Sequence, residues 1–244
     1  MSESPPADAV AVLMRQLARV MRHHDACASD PALAAKIALL GKWQALRLRG
    51  TYEDLEHSPR YATAMRFFEE DLYGGADFSQ RDADLARVVP AIRKLMPDTV
   101  IRTVALAVEL NALSQELDRA VAVELERAPP VFSVSDYCAA YRRAGRDELR
   151  RTQIGLIGDV GAALDHFVHK RVLRTALSMM RKPARMAGLS ALQDFLERGF
   201  DAFATMRGAA EFLSTIQSRE TAIHEAIAGG SNSPFPDPMP PEDR

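Results

Sequence analysis

Cysteine is almost absent. Only Cys27 and Cys138 occur in 244 residues, too few and too far apart for a disulfide framework. Reduced thiols fit a cytosolic protein, and the cytoplasm is the expected location. The start, MSESPPADAV, lacks a basic region followed by an apolar one, so no signal peptide is predicted. No apolar run approaches the ~18 residues that span a bilayer, and a soluble chain without a transmembrane segment is expected. Aromatic residues make up 7% and glycines number 13, while Ala and Leu abound; that balance favours helix. Sustained period-2 alternation is missing, so no sheet is predicted. At 47% apolar residues the chain has material for a core, which excludes disorder throughout. The formal net charge of −2 gives no global field toward nucleic acid, which is disfavoured as a partner.

Catalytic and metal signatures are missing too. A di-iron bundle needs paired E-x-x-H motifs on facing helices. The chain offers only Asp54-x-x-His57, Glu220-x-x-x-His224 and Asp165-His166-x-x-His169. The last is a half-site without a second half, so no metal is expected. There is no G-x-S-x-G elbow, and Cys27 beside His23 and His24 reads as an ordinary thiol. GLIGDVG sets Gly155, Gly158 and Gly161 three apart, but no strand precedes it, as a phosphate loop would require. On a helix, Gly155 and Gly158 followed by Ala162 make a smooth stripe for close helix packing. Three glycines in so short a span also predict a local distortion. No catalytic residue and no cofactor is implied, and the balance leans away from an enzyme.

What is present is helix punctuation. Val10, Leu13, Met14, Leu17 and Val20 recur at helical spacing. Asp30-Pro31 opens a second helix, with Asp30 as N-cap and proline at the first position, and Gly50 closes it. Ser58-Pro59 opens a third, which ends at Tyr73-Gly74. Ser79 and Asp82 form an S-x-x-D start, with Pro90 expected to kink or break that helix. Pro97-Asp98 opens a long helix to about Glu126, ended by Pro129-Pro130. A short helix stops at Gly145. A long stretch from about Asp147 to Arg181 is broken by Pro183, and helices over about 184–207 and 209–228 follow. The prediction is a single all-α domain of eight or nine helices over 7–228. Positions 1–6 and the Pro-rich 229–244 are expected to be disordered tails. Deleting 230–244 is expected to leave the melting temperature nearly unchanged.

Charge is segregated. Positions 53–84 hold nine acids against three bases, a net of −6, and 142–185 hold eleven bases against four acids, a net of +7. The plain expectation is that the two regions pair, within the fold or across a dimer; the functional one is an anion-binding face. Lys170, Arg174, Arg181 and Arg185 recur at nearly helical spacing, with Val172, Leu173, Ala176, Leu177 and Met180 mostly turned away from them. That is a basic amphipathic helix suited to an acidic helix, an anionic ligand, a membrane surface or nucleic acid. No aromatics interleave it, which weakens a stacking platform. In VELNALSQELD, Asn111, Ser114 and Asp118 share a face beside a leucine stripe and need partners if buried. Arg81, Arg87 and Arg93 are the expected ones.

The stretch RFFEEDLYGGADFSQRDADLARVVP, 66–90, is the most irregular. Gly74 and Gly75 supply a helix exit, yet Glu69, Glu70 and Asp71 oppose the dipole of the helix they end. That conflict predicts specific cations around Glu70 and Asp71: Arg81, joined by a basic residue of the 170–185 segment, with Phe67 and Tyr73 as anchors and Asp82 beside Arg81. FFEEDLYG, DFSQRDADLARVVP and RKPARMAGLSALQDFLERGF resemble a family of bacterial helical proteins, a domain of unknown function, over about 60–225. The resemblance implies no activity. Two functions stay open: a non-catalytic interaction or regulatory module, self-associating or binding a protein partner, and a helical protein holding an anionic or amphipathic small molecule between the fourth, fifth and seventh helices.

Overall fold

The computed structural model describes residues 8–73, 79–95, 97–125 and 132–238, with backbone only for 73, 79 and 90–95. The 1–6 tail, the Gly74-Gly75 exit, the Pro129-Pro130 stop, the Tyr73 and Arg93 side chains and the chain from 239 onward lie outside the described residues.

The described residues are helical, without a strand. The chain is all-α. The helices are α1 (Ala9–Ser29), α2 (Pro31–Thr51), α3 (Glu53–Glu56), α4 (Ala62–Phe67), α5 (Ser79–Leu95), α6 (Asp98–Glu124), α7 (Val134–Ala144), α8 (Asp147–Val168), α9 (Arg171–Met179), α10 (Arg181–Met186), α11 (Ser190–Met206) and α12 (Ala210–Ala228), with a π-helical turn over Phe68–Tyr73 after α4. Segments outnumber the eight or nine expected because breaks occur where no strong stop signal stands. The stretch from Asp147 parts at His169-Lys170 and again at Met180. Pro183 does not break it: it lies in the first turn of α10, where backbone N–H groups have no intrahelical partner to lose. The true stop is Gly188, left-handed at φ 68°. Nor does Pro90 interrupt α5, which runs through it while packing on α1 and α11.

Caps follow the chemistry. Asp30 accepts from the Leu33 N–H at 3.0 Å with Pro31 at the first position. Ser133 and Asp136 form a complete capping box on α7, which Gly145 closes at φ 60°.

At 27 residues, α6 is about 40 Å long and packs on α1, α2, α7 and α8; α8 in turn carries α12, α11 and α9. A Cβ at Gly158 would meet the Gln217 side chain at 2.2 Å, and one at Gly161 would meet Leu213 at 2.3 Å. The close-packing stripe against α12 is therefore Gly158 and Gly161. Gly155 opens onto space instead, and α8 is helical throughout.

Buried apolar residues fall into several clusters. One joins Tyr52, Met65, Phe67, Phe203, Phe212 and Ile216. Another joins Leu13, Leu17, Val20, Val89, Ile101 and Val108. A third is an aromatic slot in which Trp43 lies 4.9 Å from Phe132 and 4.8 Å from Tyr137. Phe235, beyond the last helix, is buried in this slot 6.1 Å from Trp43. The composition of 229–244 gave no sign of that contact: one aromatic among prolines suffices to anchor a segment that has no helix of its own.

Candidate functional site

The irregular stretch builds a buried carboxylate junction. The π-helical turn sets Glu70 outward and Asp71 inward. Arg198 of α11 binds the Asp71 carboxylate through Nε, at 3.1 and 3.0 Å, and through Nη2, at 2.5 Å. The predicted cation, Arg81, does not pair with that carboxylate. It donates to the Asp71 carbonyl at 3.3 Å, pairs with Asp82 at 3.0 Å and stacks 4.6 Å from the Phe195 ring centre. Asp82 also meets His24 Nε2 at 3.1 Å and accepts from Asn111 at 3.3 Å. Burial works to raise the Asp82 pKa, but His24 and Arg81 outweigh it and hold the carboxyl below its usual range. Glu69 pairs with Arg49; desolvation nonetheless pushes its pKa up. Asp84, wholly buried, accepts from Gln80 at 2.8 Å and leaves Oδ2 without a partner. Phe67 packs 5.4 Å from Phe195, against Gly199, where a Cβ would stand 3.0 Å away.

Asn111 thus joins this junction, whereas Ser114 and Asp118 belong to a second polar group between α2, α6, α8 and α12. Their described partners are not Arg81 or Arg87. Ser114 accepts from Gln153 at 2.8 Å and Asp118 from Gln44 at 3.0 Å. Desolvation raises the Asp118 pKa over the pull of Arg150, because Arg150 donates to Gln153 and the Leu117 carbonyl rather than to Asp118. Nearby, Arg47 clamps Glu220 at 2.5 and 3.0 Å, and the Tyr52 hydroxyl donates to Glu220 at 2.7 Å. Burial works to raise the Glu220 pKa, but Arg47 outweighs it and keeps the carboxyl low. His24, Arg47, Arg150 and Arg198 escaped the sequence reading. An arginine carries no mark of burial, and the acids that His24, Arg47 and Arg198 meet lie 58, 173 and 127 residues away in the chain.

Among the described residues no group of three or more His, Cys, Asp or Glu side chains is placed to hold a metal ion. His169 instead meets Asp165 at 3.4 Å. An enclosed cavity beside Tyr52, Phe68, Glu69 and Glu220 has about 20 Å³, room for one water.

The basic segment behaves differently. Among the described residues no ion pair within the chain joins 53–84 to 142–185. The acids of the first are met by Arg49, Arg81, Arg87, Arg198 and Arg219. Arg174 and Arg181 pair locally with Asp201 and Glu197 of α11, at 2.9 and 2.7 Å on the surface. Lys170 lies 5.1 Å from the Phe167 ring centre. From 166 to 193 there is no Asp or Glu, against six Lys and Arg. The three most exposed large apolar residues described are also here: Met186 at 90%, Val172 at 77% and Met179 at 72%. On α9, Leu173 and Leu177 are the half-buried pair, and α9 packs on α8, α10 and α11. Among the described residues no helix is long and apolar enough to cross a membrane.

No curated protein and no solved structure matches the chain. A family model does, over residues 23–234, and so covers both the carboxylate junction and the α9–α10 face. The chain belongs to the family described as Domain of unknown function (DUF8198).

Proposed function

We propose that the chain is a non-catalytic interaction module of the cytoplasm that docks through the outward face of α9 and α10. The observation that carries this reading is the coincidence, on one segment, of the most exposed apolar side chains and an acid-free run of six cations. Exposed apolar residues gathered in one place mark interaction surfaces, whereas scattered ones do not. The carboxylate junction, by contrast, serves the fold: Asp71, Asp82 and Asp84 are turned inward and met by the chain's own cations and amides. Two copies of the α9–α10 face would repel each other, which weighs against self-association through it. The competing idea, a small molecule held between helices, finds no room in the enclosed cavity of about 20 Å³. A larger, open cleft of about 250 Å³ between α8 and α12 is lined by Arg151, Gly155, Gln217 and His224. It shares only α8 with the three helices expected to hold a ligand, and it is small for a ligand pocket.

A photo-crosslinking residue placed at Met186 in the producing cell should yield crosslinked products. The same residue at Met14, half-exposed on α1, should yield none. Equal products at both positions, or none at Met186, overturn docking through α9–α10. Native mass spectrometry of the purified chain should show its bare mass; a stoichiometric small molecule would favour the ligand reading.

A further inference from the structure

The occupant of this face can be narrowed by its chemistry. This step rests on α9–α10 being the docking face. We infer that α9 and α10 bind an anionic lipid surface, lying flat on it with the methionines pressed between the headgroups.

On α9, Val172, Ala176, Met179 and Met180 recur at three- and four-residue intervals, so they form one stripe. All four are exposed. This stripe adjoins the half-buried Leu173 and Leu177, which face the body of the protein. Arg171 and Arg174 fall on the opposite flank. On α10, which packs on α9, Met186 is exposed too, with Lys182 and Arg185 at neighbouring helical positions. Among the described residues neither Lys182 nor Arg185 makes an ion pair, so both charges remain available to an outside anion. An apolar stripe flanked by cations is the pattern of helices that lie in the plane of a membrane interface. Long cationic side chains add to this by placing their stems on apolar surface while their heads reach phosphate.

A protein partner fits less well. Tight protein interfaces centre on aromatic or arginine anchors seated in pockets; the segment 170–186 contains no aromatic residue, and two of its four arginines, Arg174 and Arg181, are already held by acids of α11. Its apolar side chains stand out from the surface instead of lining a groove. Methionine, flexible and polarisable, suits an irregular and fluid counterpart. A nucleic acid would leave the methionine stripe in water, because the stripe offers no ring for bases to stack on.

The test uses the full chain and flotation with two kinds of vesicle: phosphatidylcholine alone, and phosphatidylcholine with part replaced by phosphatidylserine. Binding is expected to the second kind only, weakening as salt is raised. Lys182→Glu with Arg185→Glu should lower binding by roughly 25-fold or more, at roughly a fivefold loss or more per cation. Met179→Glu with Met186→Glu should lower it as well, on the order of tenfold, through lost insertion. All four positions are exposed, and unchanged circular dichroism and melting temperature would confirm that the variants fold. Equal floating with both vesicles, no floating with either, or variants that float like the parent overturn the lipid assignment. If vesicles fail but an acidic peptide binds and loses binding in Lys182→Glu/Arg185→Glu, the lipid assignment is overturned and docking through α9–α10 survives. If Met186 also yields no crosslink in the cell, both are overturned.

Discussion

The carboxylate junction and the α9–α10 segment carry charge in opposite ways. In the first, Asp71 and Asp82 are turned inward and meet donors from other helices, Asp71 from α11 and Asp82 from α1 and α6, with Arg81 of its own helix beside Asp82. In the second, cations and methionines face out, and the partners they have are surface acids of α11. The difference teaches that segregated charge in a sequence does not by itself announce a site. Charge that the fold neutralises stabilises the fold. Charge that the fold leaves outward, beside apolar surface, is available to something else.

The sharpest break of this comparison is Arg81→Ala. The guanidinium is buried against an equally buried Asp82, so its loss leaves a carboxylate with only His24 and Asn111. The expected cost is about 2–4 kcal/mol, read as a lower denaturation midpoint. A loss under about 1 kcal/mol would place the junction with the exposed pairs and reopen it as a site. Asp82 adds a pH dependence. Its folded pKa is lowered, so its contribution is present above the unfolded carboxylate value of about 3.9 and is lost as pH falls through the folded value.

Phe235→Ala comes next, with about 3 kcal/mol expected from an emptied aromatic slot, the low end for a buried phenylalanine because the slot keeps Trp43, Phe132 and Tyr137. Deleting 230–244 should then lower the melting temperature measurably, the reverse of what the composition of that segment implies. An unchanged melting temperature would show that the slot holds without its plug.

Asp118→Asn sharpens the comparison from inside the core. Asp118 is buried like Asp82, yet its direct partner is the neutral Gln44, and its pKa is raised. A raised carboxyl pKa means the folded chain holds the proton better than the unfolded one. Stability therefore falls as pH rises from the unfolded value through the folded one, and at neutral pH the ionised group costs stability. The amide variant removes that cost and keeps an acceptor for Gln44, so the change at neutral pH should be under about 1 kcal/mol, in either direction. The fall in stability with rising pH should flatten. A loss as large as that of Arg81→Ala would mean that Arg150 and Arg47 hold Asp118 as an ion pair.

The smallest effect belongs to the outward face. Met179→Glu with Met186→Glu should shift stability by no more than about 0.5 kcal/mol while changing binding. A large destabilisation would show that the methionines support the fold after all.

Local rules made the helices legible. Asp30-Pro31, Pro97-Asp98 and Gly145 mark ends that the structure keeps. The breaks at His169-Lys170 and Met180 were not legible, because neither carries a residue that forbids helix; both α9 and α10, the segments they separate, pack on α11. At the junction, the dipole conflict correctly called for a cation at Asp71. Sequence proximity pointed to Arg81, ten residues away, and the structure supplies Arg198, 127 residues away. The basic face was visible as a spacing, but whether it was covered was a question only the tertiary structure answers.

The clamp between Arg47 and Glu220 has a consequence for how the chain is made. The two residues are 173 positions apart. At a synthesis rate of roughly 5–20 residues per second, the wait between them is roughly 9–35 s. During that time α2 has left the ribosome with its arginine unpaired and its Trp43 slot without Phe235. Helix formation, far faster than this, cannot close that gap. The nascent chain therefore carries a formed but unlocked α2 for most of its synthesis, and the last helix acts as the bolt.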